Sequence, residues 1–230
     1  MILLAVETST LTASVAVVDE NTVLSASSVR VGSVYAEQLP VMIDRVLSDA
    51  ALPVDRVEGF ALSIGPGSYT GLRVGLSVVK GLAFAAGKPV VAVPTLDALA
   101  ASVPFCGFPV CTMLDARRNE VYAAQYRTSE GLPERLTPFQ VTALVPLLRM
   151  ITRPTVFVGT GAVVSRRQIV ETLGASARFL PEEMAFPHAV PVAILGLQAL
   201  QRGEVASLYD LEPLYLRRAE FVMKKTGSEQ

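Results

Sequence analysis

The chain has 230 residues, with 20 Lys plus Arg against 21 Asp plus Glu, one His and two Cys; 51% of it is hydrophobic and 18% charged. A net charge of −1 argues against a protein that grips nucleic acid through a basic face of its own. Mean hydropathy is high at +0.45, yet Lys80 and Lys88 cut the longest apolar stretch short of the roughly 20 residues a bilayer needs, so the excess apolar surface points to a protein partner and not a membrane.

The N-terminal run Ile2-Leu3-Leu4-Ala5-Val6-Glu7 reaches an acid too early for a secretory signal and reads as a first strand of a cytoplasmic protein. A polar turn, Thr8 to Thr12, leads into the alternating strand Ala13 to Asp19, and a third strand over Thr22 to Val29 completes a meander. Ser33 to Ser48 reads as a helix. Leu39, Met42, Ile43, Val46 and Leu47 mark its core-facing stripe, and Pro40 sits early, where a helix tolerates it best.

The apolar run Gly59 to Ile64 enters Gly65-Pro66-Gly67-Ser68-Tyr69-Thr70-Gly71-Leu72-Arg73-Val74-Gly75, which opens a helix expected over Tyr69 to Ala86. Strand, glycine turn, helix is a geometry in which free backbone N–H groups can hold an anion. The spacing fits neither the P-loop, which needs Gly-Lys-Ser/Thr, nor the dinucleotide fingerprint, which needs glycine where Thr70 stands. A turn with close helix packing and no ligand is the competing reading. The helix is apolar almost all round, so one side can bury against its own sheet while the remainder stays exposed unless another helix covers it. Gly71, Gly75 and Gly81 would then allow a close approach.

A joint is expected near Ser102-Val103-Pro104-Phe105, dividing the chain into lobes 1–103 and 104–230, with the last segment able to return to the first lobe. The second half repeats the plan: Val110 to Leu114 ends in Asp115, Ala116-Arg117-Arg118-Asn119 turns, and Glu120 to Tyr126 resumes a strand. Thr155 to Val158 then runs into Gly159-Thr160-Gly161 and a helix over Ala162 to Leu173. Two duplicated α/β lobes with facing acid-bearing turns match the actin/Hsp70/sugar-kinase (ribonuclease H-like) architecture by analogy.

Catalytic chemistry is scarce. His188 has no second histidine for a metal pair and reads as a structural or surface residue. Cys106 and Cys111 lack zinc spacing and read as reduced core thiols. The pairs Arg117-Arg118, Arg166-Arg167, Arg217-Arg218 and Lys224-Lys225 read as solvated surface. Glu7 and Asp115 can either polarise a metal-bound water in a nucleotide cleft or simply form their turns. With Ser9, Gly65 and Gly67 they are the candidate nucleotide or anion cleft. Arg73, one turn into its helix, can pair with an acid or a phosphate. No metal site is expected, and a peptidase lacks a credible nucleophile–base pair.

Glu7-Thr8-Ser9, the Gly65–Gly75 stretch, Leu114 to Tyr122 and Pro213-Leu214-Tyr215-Leu216-Arg217 together resemble the bacterial TsaB family, also called YeaZ, over essentially the whole chain. The resemblance implies an actin-like fold and a non-catalytic, accessory part in making threonylcarbamoyladenosine in tRNA. The implied partners are a TsaD-type paralogue that does the chemistry and a TsaE-type ATPase, with ATP and magnesium at the level of the complex, tRNA met only through it, and a homodimer when the chain is alone. Family members pair through first-lobe helices, which here offer Leu39, Ile43, Leu47, Tyr69, Leu72, Arg73, Leu76 and Val79 as candidate interface residues. The sequence departs from the family at Val34-Tyr35-Ala36-Glu37, where many relatives have His-Ser-Glu before the Leu-Pro step, and its second lobe is short. The competing function is a nucleotide-dependent phosphotransferase or ATPase using the Glu7/Asp115 cleft.

Overall fold

Alternation decides the first lobe. In the computed structural model, which describes residues 1–20, 22–30 and 35–217, strand β1 (Leu3–Glu7) pairs antiparallel with β2 (Thr12–Val18), and β2 with β3 (Val23–Arg30). Helix α1 (Tyr35–Asp49) follows, then β4 (Gly59–Gly65), α2 (Tyr69–Ala86), β5 (Val90–Pro94) and α3 (Thr95–Ala101). The parallel pairs β1/β4 and β4/β5 complete a sheet of order β3-β2-β1-β4-β5. Ser33 and Val34 of the expected first helix lie outside the described residues, as does everything after Arg217, including Arg218 and the Lys224-Lys225 pair.

The second lobe runs β6 (Val110–Asp115), β7 (Glu120–Arg127), β8 (Glu134–Arg135), β9 (Gln140–Ala143), α4 (Leu144–Arg149), β10 (Thr155–Val158), α5 (Thr160–Val164), α6 (Arg166–Leu173), β11 (Ala177–Phe179) and α7 (Ala189–Gln201). Its sheet has the order β11-β10-β6-β7-β8, with β9 also on β7; β6/β7 is antiparallel, and β6/β10 and β10/β11 are parallel. The sequence predicts one helix over Ala162 to Leu173. The structure instead starts at Thr160 and breaks at Ser165 into two short helices.

Period-two burial sends Leu4 and Val6 of β1 to one face, under α1 and α2, and Leu3 and Ala5 to the other. That second face is covered by α7, whose Ala189, Val192, Ala193 and Leu197 pack on it. Gly196 lies so close that a Cβ there would sit 2.6 Å from the Ala61 side chain. The helix that closes the second half therefore covers the sheet of the first. The exchange is reciprocal: α3, the closing helix of the first half, packs Leu96, Leu99 and Ala100 against Val110, Leu114 and Tyr126 of the second sheet. The Tyr126 hydroxyl donates to Asp97 of α3 at 2.7 Å, adding a directional tie to that apolar contact.

After α7 the chain stays on the first lobe. Ala206 N donates to Val90 O at 2.8 Å, Leu211 joins the core beneath α1 and α2, its carbonyl accepts from Lys80 Nζ at 3.2 Å, and Leu214 N donates to Ile64 O at 2.7 Å.

Candidate functional site

Two turns face each other across an open cleft of about 830 Å³ between the lobes. On the first-lobe side, Ser68 caps α2: its hydroxyl accepts from Gly71 N at 3.2 Å, its own amide donates to Ser9 O at 2.6 Å, and Gly87 closes the helix in the left-handed region at φ 64°. The glycines of α2 serve this turn. A Cβ on Gly71 would overlap the Thr8 carbonyl and one on Gly75 the Thr8 hydroxyl, so these two positions press the helix onto its own Glu7–Ser9 turn. Gly81 faces open space.

On the second-lobe side, Asp115 Oδ1 accepts from Arg117 N at 2.8 Å, and Arg117, Arg118 and Asn119 all sit at positive φ, 60°, 53° and 61°. Three successive non-glycine residues in that region are strained. An arginine remote in sequence holds the tip: Arg217 donates from Nη1 to Ala116 O at 3.2 Å and from Nη2 to Glu120 Oε2. Two residues earlier, Tyr215 accepts from Arg73 Nε at 3.1 Å and stacks on Tyr69, their ring centroids 5.4 Å apart. The segment Leu214–Arg217 thus clasps the start of α2 to the hairpin of the opposite lobe.

The candidate cleft residues divide. Ser9, Gly67 and Asp115 line the cleft; Glu7 and Gly65 do not. Glu7 is fully buried behind it, with Oε1 accepting from Ser9 N and Oε2 without a hydrogen bond. Burial pushes its carboxyl above the usual carboxylate range, against weaker pulls from Ser9 and Ser63, whose hydroxyls lie nearby without normal hydrogen-bond geometry. The facing acid pair of the phosphotransferase reading is therefore not formed: one acid sits in the wall and the other in the cleft. Gly65 instead packs against Leu72 and the Leu214 carbonyl. Arg30, Tyr69, Thr70, Arg117 and Arg217 line the cleft as well, and only the end of β3 and the path of the final segment bring Arg30 and Arg217 there.

The candidate interface residues divide too. Leu39, Ile43, Leu47 and Val79 are buried in the chain's own core beside Leu4, Val6 and Phe60, and Leu72 is buried next to Gly65. The 3.6-residue stripe that marks α1 as amphipathic is the stripe its own sheet consumes. Tyr69 and Arg73 are exposed and Leu76 is half-buried. The outward ridge of α2 carries Tyr69, Arg73, Ser77, Gly81 and Phe84, the last 75% exposed, and α1 adds Val41 at 64%.

His188 Nδ1 lies 3.3 Å from Ser28 Oγ, but Ser28 donates to Ser14, and Ser14 also accepts from Ala189 N, so the cluster caps α7. Burial pushes the Cys111 thiol up to about 12, an unreactive core thiol; Cys106 is half-buried. Among the described residues no group of three His, Cys, Asp or Glu is placed to hold a metal ion, and no helix is long and apolar enough to cross a membrane.

Residues 31–224 match the family model described as TsaD, tRNA N6-adenosine threonylcarbamoyltransferase. The chain is 30% identical to the tRNA threonylcarbamoyladenosine biosynthesis protein TsaB of Haemophilus influenzae over 99% of its length and 98% of that protein's. The chain belongs to the TsaB family. It is also 29% identical, over the full length of both, to the TsaB of Bacillus subtilis. The solved structure of YeaZ from Pseudomonas aeruginosa superimposes with a TM-score of 0.78 at 29% identity, over 94% of this chain and 99% of that one. With the duplicated, mixed sheets described above, this establishes the actin-like fold.

Proposed function

We propose that this chain is an accessory subunit in the synthesis of threonylcarbamoyladenosine in tRNA, binding a TsaD-type catalytic partner and acting without chemistry of its own. The observation that carries the reading is the end-to-end likeness to relatives named for that biosynthesis. The match to a TsaD family model supports a paralogous partner, because homologous helices suit a quasi-symmetric bundle.

The docking face is the exposed ridge of α2 with Val41 of α1, in place of the buried leucines that periodicity singles out. A standard interface there would bury on the order of 1,600 Å² in total. The same face would hold a homodimer when the partner is absent, a TsaE-type ATPase would join the assembled pair with its ATP and magnesium, and the whole would work in the cytoplasm, meeting tRNA only through the complex.

The test is co-purification with a TsaD-type protein, together with tRNA modification reconstituted with and without this chain. Phe84→Asp should weaken partner binding by roughly 30-fold or more, as loss of a central anchor does, with the unfolding midpoint unchanged because the ring is exposed. Undiminished partner binding by folded Phe84→Asp and Val41→Asp variants would overturn the proposed face.

A further inference from the structure

We propose that the outer edge of the second lobe is an RNA-backbone surface, on which Arg149, Arg153, Arg166 and Arg178 meet the phosphates of a tRNA already held by the complex. Naming RNA rests on the biosynthetic reading above; the charge and geometry of the surface do not.

The net charge of −1 conceals an uneven distribution. Residues 1–103 carry six Lys plus Arg against nine Asp plus Glu, and residues 104–230 carry fourteen against twelve. The excess is concentrated further. Between Leu144 and Leu180 stand Arg149, Arg153, Arg166, Arg167 and Arg178, with Glu171 the one acid. Arg167 pairs with Glu171 at 2.8 Å. The other four are exposed, and among the described residues they form no ion pair.

The fold gathers them. Strand β11 is the free edge of its sheet, paired only with β10. Arg166, at the start of α6, lies over Phe179 of β11 with its Cζ 4.5 Å from the ring centroid. Arg178, one residue earlier on the strand, lies over Phe108 at 4.2 Å. Consecutive strand residues leave on opposite faces, so the two guanidiniums straddle the edge. Arg153 precedes β10, whose Thr155 pairs with Ala177, and so borders the same end of β11. Arg149 ends α4, whose Leu147 and Leu148 share a core with Ile169 of α6 and Phe179.

A merely solvated arginine samples many rotamers. Here an aromatic ring holds each of two guanidinium planes, and among the described residues neither spends an N–H on a protein acceptor. A held, planar fork with open N–H groups suits phosphate. The surroundings do not suit a protein or a membrane: of the six exposed residues of α6, only Val170 is apolar.

The test is fluorescence anisotropy of a labelled RNA hairpin with the whole chain. Four phosphate contacts predict a Kd on the order of 10 µM at 20 mM salt, weakening roughly a thousandfold at 150 mM. That loss is why tRNA would be met only through the complex. Arg153→Gln, Arg166→Gln and Arg178→Gln should each weaken binding roughly tenfold at 20 mM salt and reduce the salt slope by about one. Arg202→Gln removes the same charge from a distant exposed site and should leave the slope unchanged. Unfolding midpoints confirm folding. In complex with a TsaD-type protein, the triple variant should co-purify as the wild type does and hold tRNA with a slope lower by about three. No hairpin binding at 20 mM salt, an unchanged slope in all three variants, an equal effect of Arg202→Gln, or equal binding of polyglutamate would each overturn the proposal. A wild-type chain that binds the hairpin but no TsaD-type protein would instead sink the accessory reading alone.

Discussion

The two halves use the same turn to different ends. In each, the last residue of the central strand is an acid whose carboxylate accepts the amide two residues on, Glu7 from Ser9 and Asp115 from Arg117. In each, a glycine turn then opens a helix against that acid's turn. The first-lobe helix runs unbroken for 18 residues and the second-lobe one stops after 5. The Thr160 hydroxyl that begins the short helix is taken by Asp115 N at 3.2 Å, whereas the hydroxyl of Ser68 caps the long one from within by accepting from Gly71 N. Duplication preserved the backbone device. Burial and helix length decided which copy keeps an outward ridge and which copy became a rigid wall.

The glycines break this comparison most sharply. Gly71→Ala should cost about 3 kcal/mol or more, because the methyl meets a fixed carbonyl and not a yielding side chain. At the matching turn, a Cβ on Gly161 would lie 3.0 Å from Leu114 C, and Gly161→Ala should cost roughly half as much. Urea midpoints of the two variants give the ratio, and a larger loss at Gly161 would undo the claim that Gly71 is the tighter of these two positions.

The clasp comes next. Arg217→Ala removes both contacts to the second-lobe hairpin and should lower stability by roughly 1–2 kcal/mol, with faster amide exchange at residues 116 to 120 and none at the Glu7 turn.

The acids differ more subtly. Because desolvation raises the folded-state carboxyl of Glu7 above its unfolded value, folding favours the protonated form. The stabilisation is complete below the unfolded value near 4.5 and is lost as pH rises through the raised folded value. Glu7→Gln should flatten stability over that window and leave the protein no less stable at pH 7, as denaturant titrations at a series of pH values would show. A Gln variant that loses stability at neutral pH would mean that the buried charge is compensated after all. Tyr215→Phe, which gives up only an exposed bond to Arg73, should change stability by no more than about 0.5 kcal/mol.

The strands were legible because both sheets are built from alternating or continuously apolar runs, and α2 begins and ends where Ser68 and Gly87 signal. The site was legible only where local pattern sufficed. Ser9, Gly67 and Asp115 lie in turns that their own sequence declares. Glu7 was misplaced because a strand-end acid carries no mark of whether it faces the cleft or the wall. Leu39 and Leu72 are apolar at helical spacing, but spacing cannot say whether the buried side meets its own sheet or a partner. Arg30, Tyr215 and Arg217 reach the site through chain path alone, and α7, apolar nearly all round, gives no sign of which sheet it will cover.

That exchange of closing helices bears on biosynthesis. While the chain emerges from the ribosome, the first sheet has α1 and α2 for one face and only Ala98 of α3 for the other. Leu3, Ala5, Ala61 and Val91 stay wet until residues 189 to 201 are made. A first lobe made alone would therefore expose apolar surface of the kind that makes folding intermediates adhesive, and it is complete only once α7 has been made.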